Sequence, residues 1–260
     1  MVTNASLFYK TFSDLNKKPI SAQNLIRLDG YLQWIETFTD DLLKDRLKGL
    51  LIYAVDKVDN TLGHYSSYLR DPSKRSYNNL ELVLPKQKLL DTKSVSYHAD
   101  ILSDAVPNNY NFVYLDPPYG TNNLKMPSSR VRYSAYYHFL ETIALNDTPN
   151  TFGKVGRRTD SSDKLFHNHL ESHDKTLAFQ IFEKIFKKFE NSICLLSYSN
   201  QGTLSIGELI DVASKTHTIT SVYSVPHKSN VMSNMVSTLD WCKDEKQVVE
   251  YLIVCHTNVI

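Results

Sequence analysis

Asn111-Phe-Val-Tyr-Leu-Asp116-Pro117-Pro118-Tyr119-Gly120 sets four apolar or aromatic residues directly before an acid, two prolines and an aromatic. Such a run reads as a short buried strand. Pro117 and Pro118 have no backbone N–H and cannot continue a ladder, so the strand stops at Asp116. In α/β sheets ligands bind outside the carboxyl ends of strands, which makes this carboxylate a candidate site residue.

Working outward, the alternation in Ser94-Val-Ser-Tyr-His-Ala-Asp100 predicts a second strand that also leads to a carboxylate. Downstream the pattern predicts a helix over 174–189, a strand over 192–198, a helix over 203–215, a strand over 217–224 and a last pair of elements within 236–256. Strands alternating with helices give an α/β sheet. Upstream, segments 6–18 and 21–58 are rich in helix formers, with Tyr31, Trp34, Phe38, Leu42 and Leu43 at helical spacing. Segment 61–86, with Pro72 and Pro85, reads as a loop rich in tyrosine and arginine. Residues 133–146 read as an aromatic helix, in which at least two of Tyr133, Tyr136 and Tyr137 are expected in the core. The polar segment 149–173 reads as an exposed insertion.

The composition is that of an ordinary soluble chain: 260 residues, 42% hydrophobic, 22% charged, net charge +1. That charge decides nothing about nucleic acid, because a basic face needs no basic total. Cys194, Cys242 and Cys255 form no Cys-x-x-Cys pair and are expected to be buried free thiols of a reducing cytosol. No apolar run reaches transmembrane length, and the expectation is a soluble, non-exported protein. His167, His169 and His173 lack a ligand pattern, and no metal is expected.

The chemistry of the Asp116 end is specific. Its carboxylate accepts hydrogen bonds, and the Pro117 carbonyl adds an acceptor on a stiff backbone. Two acceptors converging on one point suit an NH2 group such as that of adenine. Gripping both amino hydrogens draws the nitrogen lone pair out of the ring and aims it at an electrophile. Tyr119 offers a flat face for a base that has left its stack.

Asp116-Pro-Pro-Tyr119 resembles the catalytic motif of S-adenosylmethionine-dependent amino-methyltransferases. Its surroundings are similar to the Dam-related DNA N6-adenine methylases of restriction-modification systems. The resemblance includes Ala54-Val-Asp-Lys-Val-Asp-Asn-Thr-Leu-Gly63, Tyr119-Gly-Thr-Asn-Asn123, the block from Tyr133 to Asp147, Leu195-Leu-Ser-Tyr-Ser-Asn-Gln-Gly202, His227-Lys-Ser-Asn-Val-Met232 and Glu250-Tyr-Leu-Ile-Val-Cys255. It runs from about residue 45 to the end. It implies an incomplete Rossmann-like methyltransferase sheet with a helical N-terminal section over 1–60, a recognition loop over 61–93 and a catalytic core over 94–260. An inserted DNA-recognition lobe spans 124–173. It further implies S-adenosyl-L-methionine as cofactor, double-stranded DNA as partner and a bacterial cytoplasmic setting. Asp116, Pro117, Pro118 and Tyr119 become the catalytic set, and Asp116 and Asp100 the cofactor carboxylates. Arg130, Arg132, Lys154, Arg157, Arg158, His227 and Lys228 are the expected phosphate contacts.

One departure from the family stands out. Its members carry a Phe-x-Gly-x-Gly loop that holds the methionine end of the cofactor, and nothing like it occurs among the eight glycines of this chain. The expectation is that a second polypeptide supplies that loop, covering a hydrophobic edge near residues 1–20; Leu7, Phe8, Tyr9 and Phe12 fit such an edge and fit an ordinary helix equally well. The alternative is a catalytically inactive remnant or a DNA-binding specificity subunit.

Overall fold

The computed structural model describes residues 7–13, 18–84, 94–125, 133–161, 169–227 and 248–258. The chain forms two compact units, one from Met1–Leu89 and Tyr133–His167, the other from Leu90–Arg132 and Asn168–Ile260.

In the first unit, α1 (Leu7–Phe12), α2 (Ala22–Ile35), α3 (Asp41–Asp56) and α4 (Tyr133–Leu145) share one core. Each start has a physical cause. The Ser21 side chain accepts from Asn24 N at the head of α2, and Asp40 accepts from Leu43 N at the head of α3. The first turn of α1 is capped from another helix, since the buried Asp29 carboxylate accepts from Phe8 N and Tyr9 N, both at 3.0 Å. Leu25, Leu28, Leu32 and Ile35 repeat at helical spacing and are buried. Phe139 of α4 meets Phe8 and Phe12 edge-on, at ring separations of 5.8 and 4.9 Å. Phe8 and Phe12 are thus core residues of an ordinary helix, one of the two readings the sequence left open for them, while Tyr9 is 38% exposed. A hairpin of β2 (Thr151–Phe152) and β3 (Arg157–Arg158) completes the unit.

The second unit is a mixed α/β layer. Its four-stranded sheet has the order β1 (Phe112–Leu115), β4 (Ile193–Ser199), β6 (Val248–Thr257), β5 (His217–His227). β1 runs parallel to β4 with Phe112 opposite Ile193 and Leu115 opposite Leu196. β6 is antiparallel to both of its neighbours. Helices α5 (Lys175–Lys188) and α6 (Ile206–Ala213) cover one face, where Phe182, Ile185, Phe186, Leu209 and Val212 pack on Leu115, Cys194, Leu196, Tyr198 and Ile253. α6 starts with a capping box between Ser205 and Glu208. Cys194 and Cys255 are buried free thiols, and Cys242 lies outside the described residues.

The predicted strand over 94–100 is absent: residues 94–98 have no regular secondary structure and are exposed, with no ladder partner among the described residues. Alternation alone makes no strand without a neighbouring backbone to satisfy its N–H and C=O groups. β1 is accordingly the last strand on its side of the described sheet, and Phe112 and Tyr114 are 54% and 58% exposed. No helix among the described residues is long and apolar enough to cross a membrane.

Candidate active site

β1 and β4 are parallel, so their carboxyl ends lie together and bring Asp116 near Ser197. The Tyr119 hydroxyl joins them, 3.0 Å from Asp116 Oδ1 and 3.1 Å from Ser197 Oγ. Burial pushes the Tyr119 phenol well above its ordinary value, and the Asp116 acceptor adds to this against the opposing effect of Ser197. The phenol is therefore a neutral donor across the physiological range.

The backbone of Tyr119 is held as firmly as its tip. Its carbonyl accepts from Tyr198 Oη at 2.9 Å and from Thr203 N at 2.8 Å. Burial pushes the Tyr198 phenol up to about 12, and its ring lies against that of Tyr119 at 5.0 Å. Gly120 follows with φ +63°, and a Cβ there would strike Thr203 Oγ1 and come within 2.6 Å of the Leu170 carbonyl. Only glycine fits this left-handed, crowded turn. Thr203 Oγ1 accepts from Thr121 N at 3.2 Å and donates to the Ser172 carbonyl at 2.8 Å. Asn122 donates from N to Gln201 O and from Nδ2 to Asn200 O, at 2.9 and 2.8 Å. A ring nitrogen of His173 lies 3.1 Å from Thr121 O. The segment after β1 is therefore bolted to the segment after β4.

Among the described residues no hydrogen bond or ion pair joins Asp100 to Asp116, Tyr119 or Ser197. Asp100 Oδ1 accepts from Leu102 N at 2.8 Å, the local cap of a short turn. The Ile101 and Ser103 carbonyls are tied to Lys188 Nζ, both at 2.7 Å. Lys188 ends α5, which a short turn joins to the amino end of β4, whereas Asp116 lies beyond the carboxyl end of β1. This end of the sheet therefore offers hydrogen-bond acceptors that an amino group could meet, and Asp100 has no described contact with them.

A profile of the D12 class N6 adenine-specific DNA methyltransferases matches residues 3–194. The chain belongs to this family. Among curated relatives, this D12-class chain is 28% identical over 204 residues to modification methylase LlaI of Lactococcus lactis subsp. lactis, covering 75% of this chain and 30% of that protein. It is 28% identical over 202 residues to type II methyltransferase M.NlaIII of Neisseria lactamica, covering 77% and 54%. With type II methyltransferase M.FokI of Planomicrobium okeanokoites it is 26% identical over 229 residues, covering 84% and 32%. The chain therefore spans between about a third and a half of the length of these relatives. No solved structure matches it.

The expected phosphate contacts of the D12-class chain fall into three groups. Lys154 is exposed in the turn between β2 and β3, and Arg157 is half-buried on β3. Arg158 is only 2% exposed; its guanidinium reaches Asp147 at 2.5 and 2.6 Å and Asp160 at 2.9 and 2.8 Å. That is a correction to the sequence reading: two carboxylates hold Arg158 inside the first unit, where it has a structural role. Arg130, Arg132 and Lys228 lie outside the described residues, as does the side chain of His227, which ends β5.

The aromatic helix also departs from expectation. Tyr133 and Tyr137 are 45% and 41% exposed and Tyr136 is half-buried against His64, so none of the three is core. The buried side of α4 is instead Ala135, His138, Phe139, Thr142 and Ile143. From the sequence, Ser197-Tyr198-Ser199 is a set of hydroxyls at the ligand edge of the sheet, near the target-base pocket by resemblance, with no role assigned to each; Thr203 as a clamp of the Tyr119 segment was missed. The hydroxyl run after an apolar strand at the same sheet edge was the available signal.

Proposed function

We propose that this chain is the catalytic and target-handling part of a site-specific DNA adenine-N6 methyltransferase of a bacterial restriction-modification system, acting in the cytoplasm on double-stranded DNA. The observation that carries it is the juxtaposition of Asp116, Pro117, Pro118 and Tyr119 with Ser197 at one end of the sheet of a D12-class chain. Asp116 and the Pro117 carbonyl receive the two amino hydrogens of a flipped adenine, and the Tyr119 ring supports the base. S-adenosyl-L-methionine, when bound, supplies a sulfonium methyl group as the electrophile. The chain's own residues grip N6, hold the base and need form no covalent intermediate.

The exposed Phe112 and Tyr114 on the last described strand support a larger Rossmann-like sheet, in which a glycine-rich strand–loop–helix unit pairs beside β1 and completes the donor pocket. That unit belongs either to the same polypeptide or to a second one. The first unit, with the Lys154 turn and Arg157, serves as the DNA-recognition lobe.

The test is transfer of labelled methyl from S-adenosyl-L-methionine to unmethylated duplex DNA, by the whole chain alone and with a family polypeptide carrying the glycine loop. Transfer in either arm that is lost in Asp116→Ala is the expected result. Transfer surviving Asp116→Ala refutes the assignment, and silence in both arms favours the non-catalytic DNA-binding alternative.

A further inference from the structure

Among the described residues, the hydrogen bond that fixes the Asp116 carboxylate comes from Tyr119 Oη, 3.0 Å from Oδ1. A carboxylate oxygen can only accept, so the phenol proton is committed to Asp116. The Ser197 hydroxyl, 3.1 Å from the same phenol, is then the donor to Tyr119 Oη. The bonds run in one direction, from Ser197 through Tyr119 to Asp116.

Ser197 is well placed to anchor such a relay. It sits inside β4, opposite Leu252 of β6 and one residue after Leu196, which faces Leu115 of β1. Asp116, by contrast, is exposed and has left the ladder. An acceptor that must meet an amino group in one geometry loses rotamer freedom when the ligand arrives, unless that freedom has already been removed. Functional groups borne on loops are set most accurately by partners on rigid elements.

We propose that Ser197 is a positioning residue, which through the Tyr119 hydroxyl pre-orients Asp116 for the exocyclic amino group of adenine. The inference rests on the amino-acceptor reading above and assigns a specific task to a residue outside the Asp-Pro-Pro-Tyr motif. Its consequence is selective. Losing the relay weakens binding of a purine that carries the 6-amino group and leaves binding of the same base without that group unchanged.

The test uses the whole chain and a short single-stranded oligonucleotide containing adenine, compared with the same oligonucleotide carrying unsubstituted purine at that position. Methyl transfer is not required for the readout. Ser197→Ala is expected to lower the preference for adenine over purine roughly three- to tenfold, the worth of one hydrogen bond. Ser197→Thr, which keeps the hydroxyl on a strand-compatible side chain, is expected to retain it. Tyr119→Phe removes the middle of the relay, so adding Ser197→Ala to it should bring no further loss of preference.

Equal preference in wild type and Ser197→Ala overturns the proposal, as does a double variant in which the two losses multiply. Failure of the underlying reading looks different: Asp116→Ala would then show the same adenine preference as wild type, or wild type would show none.

Discussion

Gly120→Ala tests whether the segment after β1 is clamped as tightly as its contacts imply. Two costs add. A Cβ at φ +63° meets the left-handed penalty, about 1–2 kcal/mol. It would also strike Thr203 Oγ1 and lie 2.6 Å from the Leu170 carbonyl, a backbone atom that cannot rotate away. Overpacking of that kind costs about 1–3 kcal/mol. The sum is a destabilisation of about 2–5 kcal/mol in the second unit. Gly153→Ala is the control, because Gly153 has φ +72° and nothing within 4 Å of the added Cβ, so only the first cost applies. Denaturant unfolding of the whole chain, followed by probes in each unit, gives both numbers. A Gly120→Ala loss no larger than that of Gly153→Ala would refute the clamp.

Further outcomes follow from the same geometry. Arg158→Ala leaves the Asp147 and Asp160 carboxylates facing each other without their shared cation; because these acids are 38% and 62% exposed and keep much of their hydration, the loss to the first unit in denaturant unfolding should be about 1–2 kcal/mol, lost packing of the buried Arg158 stem included. Arg157→Ala and Lys154→Ala should each flatten the salt dependence of DNA affinity by about one unit of slope, whereas the more conservative Arg158→Lys should leave that slope unchanged. His138 donates Nε2–H to the Tyr65 carbonyl at 2.9 Å, its Nδ1 is buried without a partner among the described residues, and burial pushes the ring down to about 4. Its folded value lies below its unfolded one, so the unfolded chain binds the extra proton as pH falls from about 6.5 to about 4. Over that window the first unit should lose stability, up to about 3 kcal/mol, and His138→Gln should flatten the loss in acid unfolding curves.

Much of the second unit was legible because its signals are local and agree with one another. The apolar runs at 112–115 and 193–199 are followed within a few residues by Pro117 and Gly202, and the face of α5 repeats at helical spacing. Legibility failed where a partner decides the outcome. Ser94–Asp100 alternates as a strand would but has no described neighbour to pair with. Arg157 and Arg158 look alike in sequence, yet the period of β3 and the carboxylates of Asp147 and Asp160 send one inward and leave the other half-buried. Phe8 and Phe12 could have faced a partner or a core, and Phe139, more than a hundred residues away, settles it. At the site the acceptor pair was readable from its motif. The Ser197–Tyr119 bond was not, because it depends on the parallel register of β1 and β4.

The central claim is that this chain grips the amino group of adenine in DNA through Asp116. The most direct measurement is the modified-nucleoside content of unmethylated duplex DNA after incubation with S-adenosyl-L-methionine, the whole chain and a family polypeptide carrying the glycine loop. The account predicts N6-methyldeoxyadenosine, without N4-methyldeoxycytidine, and its disappearance in Asp116→Ala. Methylated cytosine instead, or N6-methyldeoxyadenosine that persists in Asp116→Ala, would contradict it.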